Sequence, residues 1–376
     1  MIGRSALPWL VAVLTAALVA ACSTPSTEID GGDLLGVFDR DAAAAPDGSS
    51  RGKPATSAAD RRLKAADAGQ ARASTSGLAI VSLPPEPSPG APRPRAPNDT
   101  TCVAPEGHPA RDVRRTLGRP ACRDAQILEW KDADGAPRYA CVIAPRGVET
   151  RAPLPLVIFF HGPEDDPTSV DKKTGLRKLG ARFDLSGDPS HTGFIVLAPQ
   201  GRAIKGREGA VFDTEYTGAD HVDMAVVDHF VGILTAQKLV DRRRIYALGL
   251  SSGGHMAATY AMMRADRVAA FAAYASDGPR AVWSCPGPPP PAMVVYRACD
   301  SVFACDATER WLRARDALSA DTSWLRLGAA NEDEPNCTVK NKCSKLKGSA
   351  HHRRWPKGRE EALLKFFAGR TLLVEP

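Results

Sequence analysis

The chain has 376 residues, 43% of them hydrophobic, which is enough to bury a core, and its Gly and Pro counts of 32 and 31 predict a part that stays extended. The net charge of +6 is spread over many basic and acidic residues, and the basic ones are not interleaved with aromatics. That pattern excludes a nucleic-acid stacking surface, so no nucleic-acid partner is expected.

The chain opens with Arg4, an apolar run over 6–21 broken by Pro8 and Thr15, and then Cys22. Such a run is too short to span a bilayer comfortably and has the form of a signal-peptide core. Val19-Ala20-Ala21-Cys22 resembles the bacterial lipobox, in which the cysteine sulfur takes a diacylglycerol before cleavage. The resemblance implies a signal peptide over 1–21, an exported product and a membrane anchor at Cys22. Ser23 in place of Asp points to the outer membrane.

From 22 to 97 the chain is rich in Ala, Pro, Gly and Ser without apolar periodicity, and it is expected to be a flexible tether. Seven prolines between Pro84 and Pro97 should make its last part extended and semi-rigid. A folded domain is expected over 98–376.

Past Cys102, short apolar runs alternate with helical patterns. Strands are predicted over 156–160, 194–198, 245–250, 293–296 and 324–327, which are short, apolar and bounded by turn residues. Val227, Phe230, Val231 and Leu234 share one helical face, and further helices are predicted over 255–263, 309–318 and 360–367. Strand and helix in alternation imply an α/β fold with a mostly parallel sheet covered on both faces.

Gly249-Leu250-Ser251-Ser252-Gly253 fits G-x-S-x-G between a predicted strand and a predicted helix. In that setting the turn projects the serine oxygen outward, and glycines flank it because side chains would clash. Ser251 has glycines at minus two and plus two, whereas Ser252 does not, so Ser251 is the candidate nucleophile. A base is expected last in the chain and an acid between the two. Among the eight histidines only His351 and His352 lie downstream beyond the helix that follows the serine. Asp300, in the turn after 293–296, is the candidate acid, with Asp306 as its rival. Phe159-Phe160-His161-Gly162 ends the first strong strand, where a second oxyanion donor is expected beside the N–H of Ser252. His161 is expected to be structural.

With Cys22 set aside, eight cysteines remain: Cys102, Cys122, Cys141, Cys285, Cys299, Cys305, Cys337 and Cys343. In an oxidising compartment they predict up to four disulfides, one of which would stiffen the turn between Cys299 and Cys305. Their spacings do not suit paired zinc knuckles, so neither a metal nor another cofactor is expected.

These residues together resemble the secreted esterases of the α/β-hydrolase fold that include polyhydroxybutyrate depolymerases and feruloyl and acetylxylan esterases. The likeness runs over 138–367, through VIFFHG at 157–162, FIVLAPQG at 194–201, VDRRRIYALGLSSGGHMA at 240–257 and LKGSAHHRRWP at 346–356. It implies hydrolysis of carboxylic esters through an acyl-enzyme on Ser251, acting on a polyester or an esterified plant polysaccharide. It places the acid at Asp300. Counting from the Gly-rich turn puts the base at His351, the preferred position, and counting back from Trp355-Pro356 puts it nearer His352. The residue after His161-Gly162 usually donates to the oxyanion, but Pro163 has no N–H, which leaves Gly162 or Glu164 as donor. Two alternatives follow: a weakly catalytic surface protein that keeps the fold and binds a polymer, and a serine peptidase.

Overall fold

A computed structural model describes residues 93–95, 102–328 apart from short breaks at 106, 111–116, 282, 299, 301 and 304, and 352–373. The expected signal peptide, Cys22 and nearly all of the expected tether lie outside the described residues.

Eight strands form one sheet: β1 (Gln126–Lys131), β2 (Pro137–Ile143), β3 (Leu154–Phe160), β4 (Ile195–Pro199), β5 (Val240–Leu250), β6 (Ala270–Tyr274), β7 (Ala292–Arg297) and β8 (Thr322–Leu327). Their order is β1-β2-β4-β3-β5-β6-β7-β8. The β1–β2 and β2–β4 pairs are antiparallel and the rest parallel. This order, with helices on both faces, is the α/β-hydrolase fold.

The chemistry of β3 shows why it lies in the middle. All seven of its residues are buried, as an unbroken apolar run should be when both faces of a parallel sheet are covered. Leu156, Ile158 and Phe160 enter one core with α3 (Val222–Ala236) and α4 (Ser252–Met263). Val157 and Phe159, pointing the other way, enter a second core with α6 (Glu360–Ala368). Two short helices, α1 (Ser169–Lys173) and α2 (Leu176–Gly180), precede β4, and α5 (Cys305–Ala317) precedes β8.

The five predicted strands are present with small changes of boundary. The β1–β2 hairpin and β6 were not anticipated. In the hairpin, Asp132 turns the chain: its Oδ1 accepts from the N–H of Asp134 and Ala136, and its Oδ2 accepts from Arg138 Nε at 2.6 Å. The helix expected over 309–318 begins earlier, at Cys305. Ordered structure also begins before the expected boundary at 98, because Arg93–Arg95 pairs in parallel with Arg370–Leu372. The proline-rich chain there is already extended, so it can add to a strand.

Two disulfides are described, Cys102–Cys285 and Cys122–Cys141. Cys299, Cys337 and Cys343 lie outside the described residues, as does the side chain of Cys305.

Candidate active site

Ser251 stands at the C-terminal tip of β5, between that strand and α4, with φ 58° and ψ −123°. A non-glycine residue held there costs about 1–3 kcal/mol and persists only where its surroundings enforce it. Here the enforcement is visible. The Ser251 N–H donates to Tyr274 O at 2.9 Å, which fastens the turn to the end of β6. A Cβ on Gly249 would lie 1.9 Å from Gly253 O, and one on Gly253 would lie 2.1 Å from Phe160 O. Both positions therefore admit only glycine while strand, turn and helix remain this close.

Ser251 Oγ lies 2.8 Å from His352 Nε2, and His352 Nδ1 lies 2.8 Å from Asp300 Oδ2. The other oxygen, Asp300 Oδ1, accepts from the N–H of Val302 at 2.8 Å and of Phe303 at 3.0 Å. All three side chains are buried. The acceptor-only carboxylate makes Nδ1 the protonated nitrogen, so Nε2 is free to accept from the Ser251 hydroxyl. The structure thus brings Ser251 and Asp300 together as anticipated, and corrects the preferred base: the position against the serine belongs to His352. His351 lies outside the described residues. Asp306 is not in the relay. It is in the first turn of α5, paired with Arg310 at 2.9 Å.

The loop after β3 lies against the serine: a Cβ on Gly162 would sit 3.7 Å from Ser251 Cβ. Ser252 supplies the first amide of α4, which has no acceptor within the helix. Its Oγ is buried and makes no hydrogen bond among the described residues. Pro163 and Glu164 form a tight turn, closed by the Asp165 N–H donating to Gly162 O at 3.3 Å, with Glu164 at φ 62°. Proline followed by a positive φ is the signature of a type II turn. Glu164 also faces Arg353, the neighbour of His352, at 3.5 Å.

His161 is structural, as expected. Its Nε2 accepts from the Gly201 N–H at 3.0 Å, so the proton is on Nδ1, directed at Gly162 O 2.8 Å away. Burial pushes its pKa down, against the raising effect of the bond to Gly162. Gly201 leads into a loop tied down by Arg202 Nε, which donates to Asp223 Oδ1 at 2.8 Å. His221 caps α3 at the far end of that loop.

A second histidine–carboxylate pair was not foreseen. His255 Nε2 lies 2.7 Å from Asp277 Oδ1, and burial holds the His255 pKa down. His255 sits one turn along α4 from Ser251, and Phe303 separates it from His352, with ring centroids 4.9 Å and 5.2 Å away. Nothing in the sequence around Asp277 marks it out, because the pair forms only when β6 is laid beside β5.

No protein-family model matches the chain. A bifunctional acetylxylan esterase/xylanase of Neocallimastix patriciarum is 27% identical over 220 residues, which is 57% of this chain and 29% of that protein. The chain therefore spans less than a third of the length of that relative. Among solved structures, a thermostable esterase aligns at 16% identity and TM-score 0.44 over 66% of this chain and 63% of its own. Thermogutta terrifontis esterase 2 aligns at 15% identity and TM-score 0.44 over 57% of this chain and 85% of its own.

Proposed function

We propose that this chain is a serine hydrolase of carboxylic esters. The observation that carries the reading is the unbroken relay of Ser251, His352 and Asp300 at the tip of β5. In this reading Ser251 Oγ attacks the ester carbonyl while His352 Nε2 takes the hydroxyl proton, and Asp300 stabilises the imidazolium that results. The oxyanion is met by the N–H of Ser252 and, in place of the missing Pro163 donor, the N–H of Gly162. Collapse expels the alcohol, which leaves with the proton held by His352. Water, deprotonated by the same nitrogen, then hydrolyses the acyl-serine.

An acetylated plant polysaccharide is the substrate class favoured by the acetylxylan esterase relative, with a polyester as the alternative. Export is supported by the two disulfides, which persist in oxidising compartments. A lipid on Cys22 would hold the protein at the outer membrane, as the sequence around that cysteine suggests. The absence of an N–H at Pro163 favours a second reading, a slow or inactive protein that binds the polymer. Fluorophosphonate labelling and a panel of p-nitrophenyl esters, acetylated xylan and polyhydroxybutyrate test the two. Wild type should label and turn over, and Ser251→Ala should do neither. Turnover by Ser251→Ala at the wild-type rate would overturn the mechanism, and binding without turnover by wild type would favour the second reading.

A further inference from the structure

Two side chains beneath the histidine loop play no part in the proton relay. The carbonyl of Arg354, two residues beyond His352, accepts hydrogen bonds from Tyr274 Oη and from Arg297 Nη1. Tyr274 is the last residue of β6 and Arg297 the last of β7, and both are fully buried. The Arg297 guanidinium lies over the Tyr274 ring, 5.3 Å from its centroid.

The main chains of the same two residues hold the other members of the relay. Tyr274 O receives the Ser251 N–H at 2.9 Å, and Arg297 O receives the Asp300 N–H at 3.2 Å. Tyr274 therefore fastens the nucleophile's turn with its carbonyl and the base's loop with its hydroxyl. Arg297 fastens the acid's turn with its carbonyl and the same loop with its guanidinium. Placing a guanidinium out of water is costly unless it is hydrogen-bonded, and a simple packing role would be met by an apolar side chain at lower cost.

We infer that Tyr274 and Arg297 are positioning residues that set the distances between Ser251, His352 and Asp300 by gripping the Arg354 carbonyl. The inference rests on the esterase reading of the site. A base that shifts by about 1 Å can cost about 10²-fold in rate, so loss of the grip should lower kcat far more than it changes KM.

The test compares Tyr274→Phe, Arg297→Lys and Arg297→Met with wild type on p-nitrophenyl acetate. Active sites are counted by fluorophosphonate titration, and the proton of His352 Nδ1 is followed by proton NMR in the far-downfield region. Tyr274→Phe keeps the ring in place and is the variant least able to unfold the domain. It should lower kcat about 3-fold to 10-fold, and Arg297→Met about 10-fold to 100-fold, with KM within about twofold. Arg297→Lys, which keeps a donor, should recover part of the loss, and the downfield proton should broaden or shift in step with kcat. Folded variants with wild-type kcat, labelling rate and downfield proton would overturn the inference, as would a loss of thermal stability with that proton unchanged. If wild type itself neither labels nor turns over, the esterase reading fails instead, and the downfield proton still judges the grip.

Discussion

At the scale of single residues, the choice between two adjacent histidines was decided by what each side of the loop is attached to. Trp355 is buried, its Nε1 donates to Glu360 Oε1 at 2.9 Å, and its ring packs edge-on against Phe159 and Tyr274. Counting back from that fixed point leads towards His352, whereas the Gly-rich turn offers no such anchor. His352→Ala should therefore reduce kcat/KM by about 10³-fold or more, and His351→Ala by less than about threefold, measured on the same ester. Ser251 and Asp300 were legible because their spacing around strand ends is local. Glu164 at positive φ and the His255–Asp277 pair were not, since both depend on contacts between distant segments. His161 and His255 also make a pH prediction. Burial holds both below the ordinary histidine value, so the folded protein binds fewer protons at these sites than the unfolded chain. Their contribution to stability is present at neutral pH and is lost as pH falls below about 6.5. Thermal unfolding followed from pH 8 to about pH 5 should show a falling midpoint, with a smaller fall in a His255→Asn variant.

At the scale of elements, the turn from β5 into α4 shows how closely the backbone segments are packed. Gly253→Ala would press a methyl group into the carbonyls of Phe160 and His161, at 2.1 Å and 2.4 Å, and neither can move without shifting β3. Overpacking of this kind costs about 1–3 kcal/mol. The variant should unfold at a lower temperature by calorimetry and label more slowly with fluorophosphonate. The same closeness explains why β6 escaped notice in the sequence. Its residues, Ala270–Tyr274, are mostly alanine, which reads as helix former rather than strand. Yet α4, buried around nearly its whole circumference, can lie against β6 only because those side chains are small. The strands with branched and aromatic residues announced themselves, and the one selected for thinness did not. The β1–β2 hairpin was missed for a different reason: β1 alternates exposed and buried residues at the edge of the sheet, a weak signal over six positions.

At the scale of the whole molecule, the order of strand and helix along the chain was enough to predict the mostly parallel sheet, but not the antiparallel edge or the cysteine pairing. Cys102–Cys285 closes a loop of 183 residues, and Cys122–Cys141 one of 19. On the chain-entropy account the longer closure contributes up to about 5 kcal/mol and the shorter about 3 kcal/mol. Reduction under native conditions should lower the unfolding midpoint markedly, and Cys102→Ser should reproduce the larger part of that change in calorimetry. Titration of the denatured, unreduced protein should find these four thiols closed. The relay members follow one another as Ser251, Asp300 and His352, and the segment that completes the relay also closes one face of the sheet. Tyr246 of β5 stacks on Phe367 of α6 with centroids 4.7 Å apart, and its hydroxyl donates to Arg370 O at 2.8 Å. On the ribosome this arrangement delays the onset of chemistry. While the last few dozen residues remain in the exit tunnel, the nascent chain has its nucleophile but no base, and one apolar face of its central strand stands open. The growing polypeptide is at its most adhesive while it is still inert, so synthesis halted before residue 352 would leave a product that clumps rather than one that hydrolyses.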